Sequence, residues 1–220
     1  MNRQHPMAGN EVAVRAGDAD LQGILTIPEG ATGLVLFAHG SGSSRFSSRN
    51  QSVSRTLNQG GLATLLFDLL TTSEEVIDQQ TREFRFDISL LANRLTGALD
   101  WAMEEESTSG LQMGLFGSST GAAAALYTAM QRPDAVKAVV SRGGRPDLAG
   151  DALEQVQAPA LLIVGGADYL VIELNQRAHS RMSNCQLKII PGATHLFSEP
   201  RALESVAQLA CQWFQQFLKN

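Results

Sequence analysis

The 220-residue sequence predicts an α/β fold: a doubly wound, mostly parallel sheet of about eight strands, with helices on both faces and no large lid. Two observations lead there. Short, continuously apolar β-type runs alternate with helical stretches along most of the chain. Such runs suit strands buried on both faces, as in a parallel sheet covered by helices. Glycine, serine, aspartate and histidine gather just after the runs, where the loops of an open α/β sheet carry function.

The elements follow in order. Residues 12–16 and 21–27 flank Gly17-Asp18 and read as an antiparallel hairpin that opens the sheet. Residues 33–38, 62–67, 111–116, 135–140, 160–164 and 186–190 supply the remaining strands. Helical patterns fall at about 50–59, 84–105, 120–131, 148–156, 169–182 and 200–218. Residues 1–10 read as a flexible tail and 11–220 as one domain, without linker or repeat.

Composition narrows the function. With 44% hydrophobic residues the chain can bury a sizeable core, and a net charge of −5 without any basic block argues against nucleic acid or anionic membranes as partners. Small molecules are the expected partners, and a homodimer is left open. No segment approaches the roughly 18 uninterrupted apolar residues of a membrane span, so the sequence reads as cytoplasmic. Cys185 and Cys211 lack metal-ligand spacing and read as ordinary thiols. No metal or organic cofactor is expected.

The residues beyond the strand ends are His39-Gly40-Ser41-Gly42, Asp68, Gly117-Ser118-Ser119-Thr120-Gly121, Ser141-Arg142-Gly143-Gly144, Gly165-Gly166-Ala167-Asp168 and Gly192-Ala193-Thr194-His195. Gly117 to Gly121 fits Gly-x-Ser-x-Gly, a tight strand-to-helix turn that lifts a serine oxygen above the sheet edge. Chance matches to so short a pattern occur, but this one lies between a strong strand and an alanine-rich helix. That context is what the motif requires.

Together, the Gly117 to Gly121 turn, the upstream His39-Gly40, Asp168 after a later strand and Pro191-Gly-Ala-Thr-His195 resemble the α/β-hydrolase superfamily, specifically its small, lidless dienelactone-hydrolase-like branch. The resemblance spans about Val12 to Leu218. One departure stands out: dienelactone hydrolases proper carry cysteine at the elbow, where this chain has Ser119. The dienelactone substrate therefore does not transfer with the fold. Serine points to a hydrolase of small esters, thioesters or lactones working through an acyl-enzyme. An acyltransferase or peptidase with the same residues, or a non-catalytic ligand-binding member of the fold, are the alternatives.

Ser119 needs a base to take its proton, and His195, after the last strand, is the best placed of the four histidines. His5 lies in the tail, His39 reads as a loop brace and His179 falls on a polar helical face. Asp168 would orient His195, or else cap the helix from Tyr169. Glu173, Asp147 and Glu199 are the fallback acids, and Asp68 reads as a loop brace. The oxyanion donors would be the backbone amides of Thr120 and Ser41. Arg45, Arg49, Arg142 and Arg145 stand on two loops at the same edge, Arg45 and Arg142 being the candidates to bind an anionic substrate group. Pairing with acids for loop rigidity is an equal reading of these arginines. Phe46 and Phe197 would line an acyl pocket or simply pack.

Overall fold

The eight predicted strands pair into one sheet. A computed structural model describes residues 9–219. The strands are β1 (Asn10–Ala16), β2 (Ala19–Thr26), β3 (Gly33–Ala38), β4 (Ala63–Phe67), β5 (Gln112–Ser118), β6 (Val136–Arg142), β7 (Ala160–Gly165) and β8 (Cys185–Ile190). Their order across the sheet is β1-β2-β4-β3-β5-β6-β7-β8. β1 and β2, and β2 and β4, pair antiparallel, while all later pairs are parallel. The expected tail falls mostly on residues 1–8, outside the described residues, and Asn10 already belongs to β1.

The helices are α1 (Ser48–Gln59), α2 (Thr72–Thr81), α3 (Ile88–Glu104), α4 (Thr120–Gln131), α5 (Tyr169–Arg181) and α6 (Ala202–Phe217). Residues Pro146–Gln155 form a 3-10 segment, interrupted at Gly150, where a regular helix was expected. α2 is absent from the sequence reading. Its signal is polar: Thr71 and Glu74 form a reciprocal capping box at its start, while its only buried residue is Asp78. A search for apolar periodicity passes over such a helix.

Two apolar clusters sandwich the sheet. On one face Phe37, Phe116, Val140 and Ile163 meet Val53 and Leu57 of α1 and Val206, Ala210 and Phe214 of α6. On the other, Leu36, Leu65, Leu115 and Leu162 meet α3, α4 and the 3-10 segment. β3, β4 and β7 are buried along their whole length, as a covered parallel sheet demands. β8 departs from the expected apolar run, because it is the edge strand and its residues are partly or fully exposed.

This topology sets the position of the site. β5 lies next to β3 rather than β4, so the chain leaves β3 toward α1 on one face and leaves β5 toward α4 on the other. The two exits diverge and open a crevice at the carboxyl ends of β3 and β5, the place where open α/β sheets bind ligands.

Candidate active site

Ser119 stands at that crevice with φ 51° and ψ −120°, the only residue between β5 and α4. A non-glycine residue held there carries backbone strain of roughly 1–3 kcal/mol, which persists only where surrounding packing dictates it. The flanking glycines show that packing. A Cβ on Gly121 would lie 2.2 Å from the Ala38 carbonyl oxygen, and one on Gly117 would lie 2.4 Å from Ala122 Cα. α4 can therefore approach β3 and β5 closely enough to aim its amino end at the crevice only if both positions lack side chains.

The acid and the imidazole converge on the same edge. His195 Nδ1 donates to Asp168 Oδ2 at 2.7 Å, which leaves Nε2 as the free ring nitrogen among the described residues. Asp168 is largely sheltered and His195 about two-fifths exposed. The loops bearing them are tied together: Ala167 N–H donates to Ala193 O at 2.9 Å and Gly166 N–H to Ile190 O at 2.8 Å. Glu199 steadies the histidine loop, accepting from Thr194 N–H at 3.0 Å and Thr194 Oγ1 at 2.6 Å. These bonds hold the Glu199 carboxyl below the usual carboxylate range, the Thr194 hydroxyl contributing most.

The turn after β6 links Ser119 to this pair. Ser119 N–H donates to Arg142 O at 3.3 Å, and Arg145 N–H donates to Ser119 O at 3.0 Å. Between those two residues, Gly143 faces the other way: a Cβ there would sit 3.2 Å from His195 O and 3.5 Å from His195 Nδ1. The serine and histidine loops thus flank one three-residue turn.

The two residues expected to supply oxyanion donors touch through their side chains. The Thr120 amide is the first of α4 and has no intrahelical partner, while the helix dipole places partial positive charge there. Ser41 Oγ lies 3.1 Å from Thr120 Oγ1, and a Cβ on Gly40 would be 3.1 Å from Ser119 Cβ. His39 is the brace the sequence suggests: its Nδ1 donates to Gly40 O at 3.0 Å and its Nε2 accepts from Leu69 N–H at 3.0 Å. Burial lowers its pKa and favours this neutral form.

The chain matches the dienelactone hydrolase family over residues 21–220. It belongs to the dienelactone hydrolase family. A dienelactone hydrolase from Anabaena variabilis ATCC 29413 is 56% identical and superposes with a TM-score of 0.96 over 98% of this chain and 100% of its own. An esterase from Pyrococcus furiosus shares the fold at 18% identity, with a TM-score of 0.75 over 99% of this chain and 98% of its own. Two Mycobacterium tuberculosis proteins, provisionally named phosphoribosyl transferases, are 55% identical over 210 residues, or 95% of this chain. This chain spans about half of their length, 46%. Membership of this family supports a hydrolase function. Among the described residues no helix is long and apolar enough to cross a membrane.

Several sequence readings of side chains need correction. Arg45 takes the loop-bracing reading: its guanidinium pairs with Asp68, its amide donates to the same carboxylate at 2.7 Å, and it stacks 4.2 Å from the Phe46 ring centroid. Arg145 pairs with Asp147 at 2.7 Å, which also removes Asp147 as a fallback acid. Glu173 is engaged by Arg177, and Glu199 by Thr194. Phe197 is 2% exposed and packs in the core beside α6, so it lines no open pocket. Arg142 is buried, with Nε 3.4 Å from Ser118 Oγ and Nη2 3.5 Å from Asn50 Oδ1. The sequence assigned no role to Asn50, Ser118 or the Asp78–Arg85 pair. Asp78 accepts from the amides of Phe84 and Arg85 and from Arg85 Nε, while Arg85 O accepts from Ser41 Oγ at 3.4 Å. Nothing local in the sequence joins residues so far apart. Both cysteines are free, and burial pushes the Cys185 thiol up to about 12.

Proposed function

We propose that this protein is a serine hydrolase of a small ester, thioester or lactone, with Ser119 as nucleophile, His195 as general base and Asp168 as its orienting acid. The observation that carries the reading is the strained Ser119 backbone at the amino end of α4, beside a loop pair in which His195 Nδ1 is bonded to Asp168. Ser119 Oγ attacks the substrate carbonyl carbon as His195 Nε2 takes its proton, and the carbonyl oxygen gathers negative charge facing the Thr120 and Ser41 amides. The tetrahedral adduct collapses, and the imidazolium returns its proton to the departing alkoxide or thiolate. Water, deprotonated by His195, then releases the acid and restores Ser119. Asp168 fixes the tautomer with the proton on Nδ1 and stabilises the imidazolium.

The transferase name of the mycobacterial relatives belongs to proteins of which this chain spans less than half. The serine elbow favours acyl chemistry for the matched stretch. The test is turnover of short p-nitrophenyl esters by Ser119→Ala, with circular dichroism confirming the fold and a fluorophosphonate probe mapped by peptide. Activity and labelling are expected to vanish together. Folded Ser119→Ala retaining most activity would overturn the assignment.

A further inference from the structure

Among the described arginines that are buried or half-buried, Arg45, Arg85, Arg94, Arg132 and Arg145 each pair with a carboxylate. Arg49 and Arg142 do not. Arg142 is 8% exposed, and its guanidinium bonds to the neutral side chains of Ser118 and Asn50 at 3.4 and 3.5 Å. Arg49 Nε is buried without a hydrogen-bond partner. Both residues stand at the carboxyl edge of the sheet, on the α1 face. Ser118 and Arg142 close β5 and β6, while Arg49 and Asn50 lie in the first turn of α1, which contains no acidic residue. The site adjoins the nucleophile directly, since Ser118 precedes Ser119 and Arg142 O accepts the Ser119 amide.

Two sheltered guanidiniums without a counter-charge repel one another and forfeit hydration. Burial and the charge of Arg49 together lower the Arg142 pKa to about 10, so the strain between them is felt in the folded state. The amino end of α1 adds partial positive charge rather than relieving it. Every element here therefore favours the same guest, one with about two negative charges and several acceptor oxygens.

We propose that Arg49, Arg142 and Asn50 form a binding site for a doubly charged oxyanion of the phosphate class beside Ser119. Binding itself does not depend on the hydrolase reading; the claim that a substrate can carry the phosphate rests on it. A monocarboxylate supplies half the charge and should bind more weakly.

Calorimetric titration of inorganic phosphate and of acetate into both wild-type and Ser119→Ala protein separates binding from turnover. Saturable phosphate binding, tighter than acetate in both proteins and weakened about tenfold or more in Arg49→Gln, is expected, given what a charge-assisted hydrogen bond contributes. Asn50→Asp supplies the missing carboxylate 3.5 Å from Arg142 and is expected to raise the melting temperature while abolishing phosphate binding. No saturable phosphate binding, or undiminished binding by Arg49→Gln, overturns the proposal. So does an Asn50→Asp protein of lower melting temperature that still binds phosphate. The source is read from kcat/KM for an acetyl ester of glycerol phosphate relative to one of glycerol. A fall of about tenfold in that ratio in Arg49→Gln supports a phosphate carried by the substrate. An unchanged ratio with phosphate binding lost supports the site with free phosphate as its occupant.

Discussion

At the scale of the residue, the candidate site depends on a division of labour between nitrogen atoms of single rings. His195 and His39 both carry their proton on Nδ1 in the arrangement their partners dictate, but the partners differ. The Asp168 carboxylate can stabilise a charged imidazolium, whereas the Gly40 carbonyl and Leu69 amide around His39 favour a neutral ring. This separates a candidate base from a brace by chemistry rather than by position. Asp168→Asn and His195→Ala are each expected to cut kcat by several orders of magnitude, and the double variant to lose little more than either alone, because members of one catalytic unit are not additive. Steady-state kinetics of the three variants check this; losses that multiply would speak against a shared proton relay.

At the scale of the element, α4 is positioned by what its first turn lacks. Gly121 sits against β3 so closely that even a methyl group would overlap the Ala38 and His39 carbonyl oxygens, at 2.2 and 2.5 Å. Gly121→Ala is therefore expected to push the amino end of α4 away from β3, misplacing the Thr120 amide relative to Ser41. The overpacking should cost about 1–3 kcal/mol or more in urea unfolding. The more telling readout is a larger loss in kcat than in KM, because the displaced donor acts on charge that develops only in the transition state. The same substitution at Gly30, where a Cβ would meet nothing within 4 Å but φ is +70°, should lower stability alone. The spacing of the glycines was legible in sequence as a motif. That side chains there would strike the neighbouring strand and helix follows from the motif, but which carbonyls exclude one at Gly121 does not, because Ala38 and His39 lie some eighty residues away in the chain.

At the scale of the whole molecule, His39 joins two strand exits, from β3 and β4, and makes stability depend on pH. Its folded pKa lies below the ordinary value of 6.5, with burial the largest cause. Above that value both states hold a neutral ring and nothing is lost. As pH falls through 6.5, the unfolded chain takes up a proton that the folded chain resists, so stability declines until the lowered folded pKa is reached. Urea midpoints measured from about pH 8 to about pH 5 should fall on the acid side, and His39→Gln should flatten that slope. An identical slope in the variant would place the acid sensitivity elsewhere.

How much of this the sequence determines by itself follows from the range of the forces involved. Strand periods, the serine elbow and the order Ser119, Asp168, His195 are local or nearly local patterns, and the observed strands begin and end within two residues of their expected bounds. The fates of the charged side chains are not local. Arg45, Arg49, Arg142 and Arg145 look alike along the chain, yet two find carboxylates and two do not. Strand order decides this: β5 and β6 lie side by side, and the first turn of α1 reaches their carboxyl ends, bringing Asn50 to Ser118 and Arg142 across gaps of 68 and 92 residues. Hydrophobic periodicity specifies which face of an element is buried, because burial acts on each residue separately. Which charge meets which depends on distances that exist only once the sheet has assembled, and so tertiary structure alone decides it.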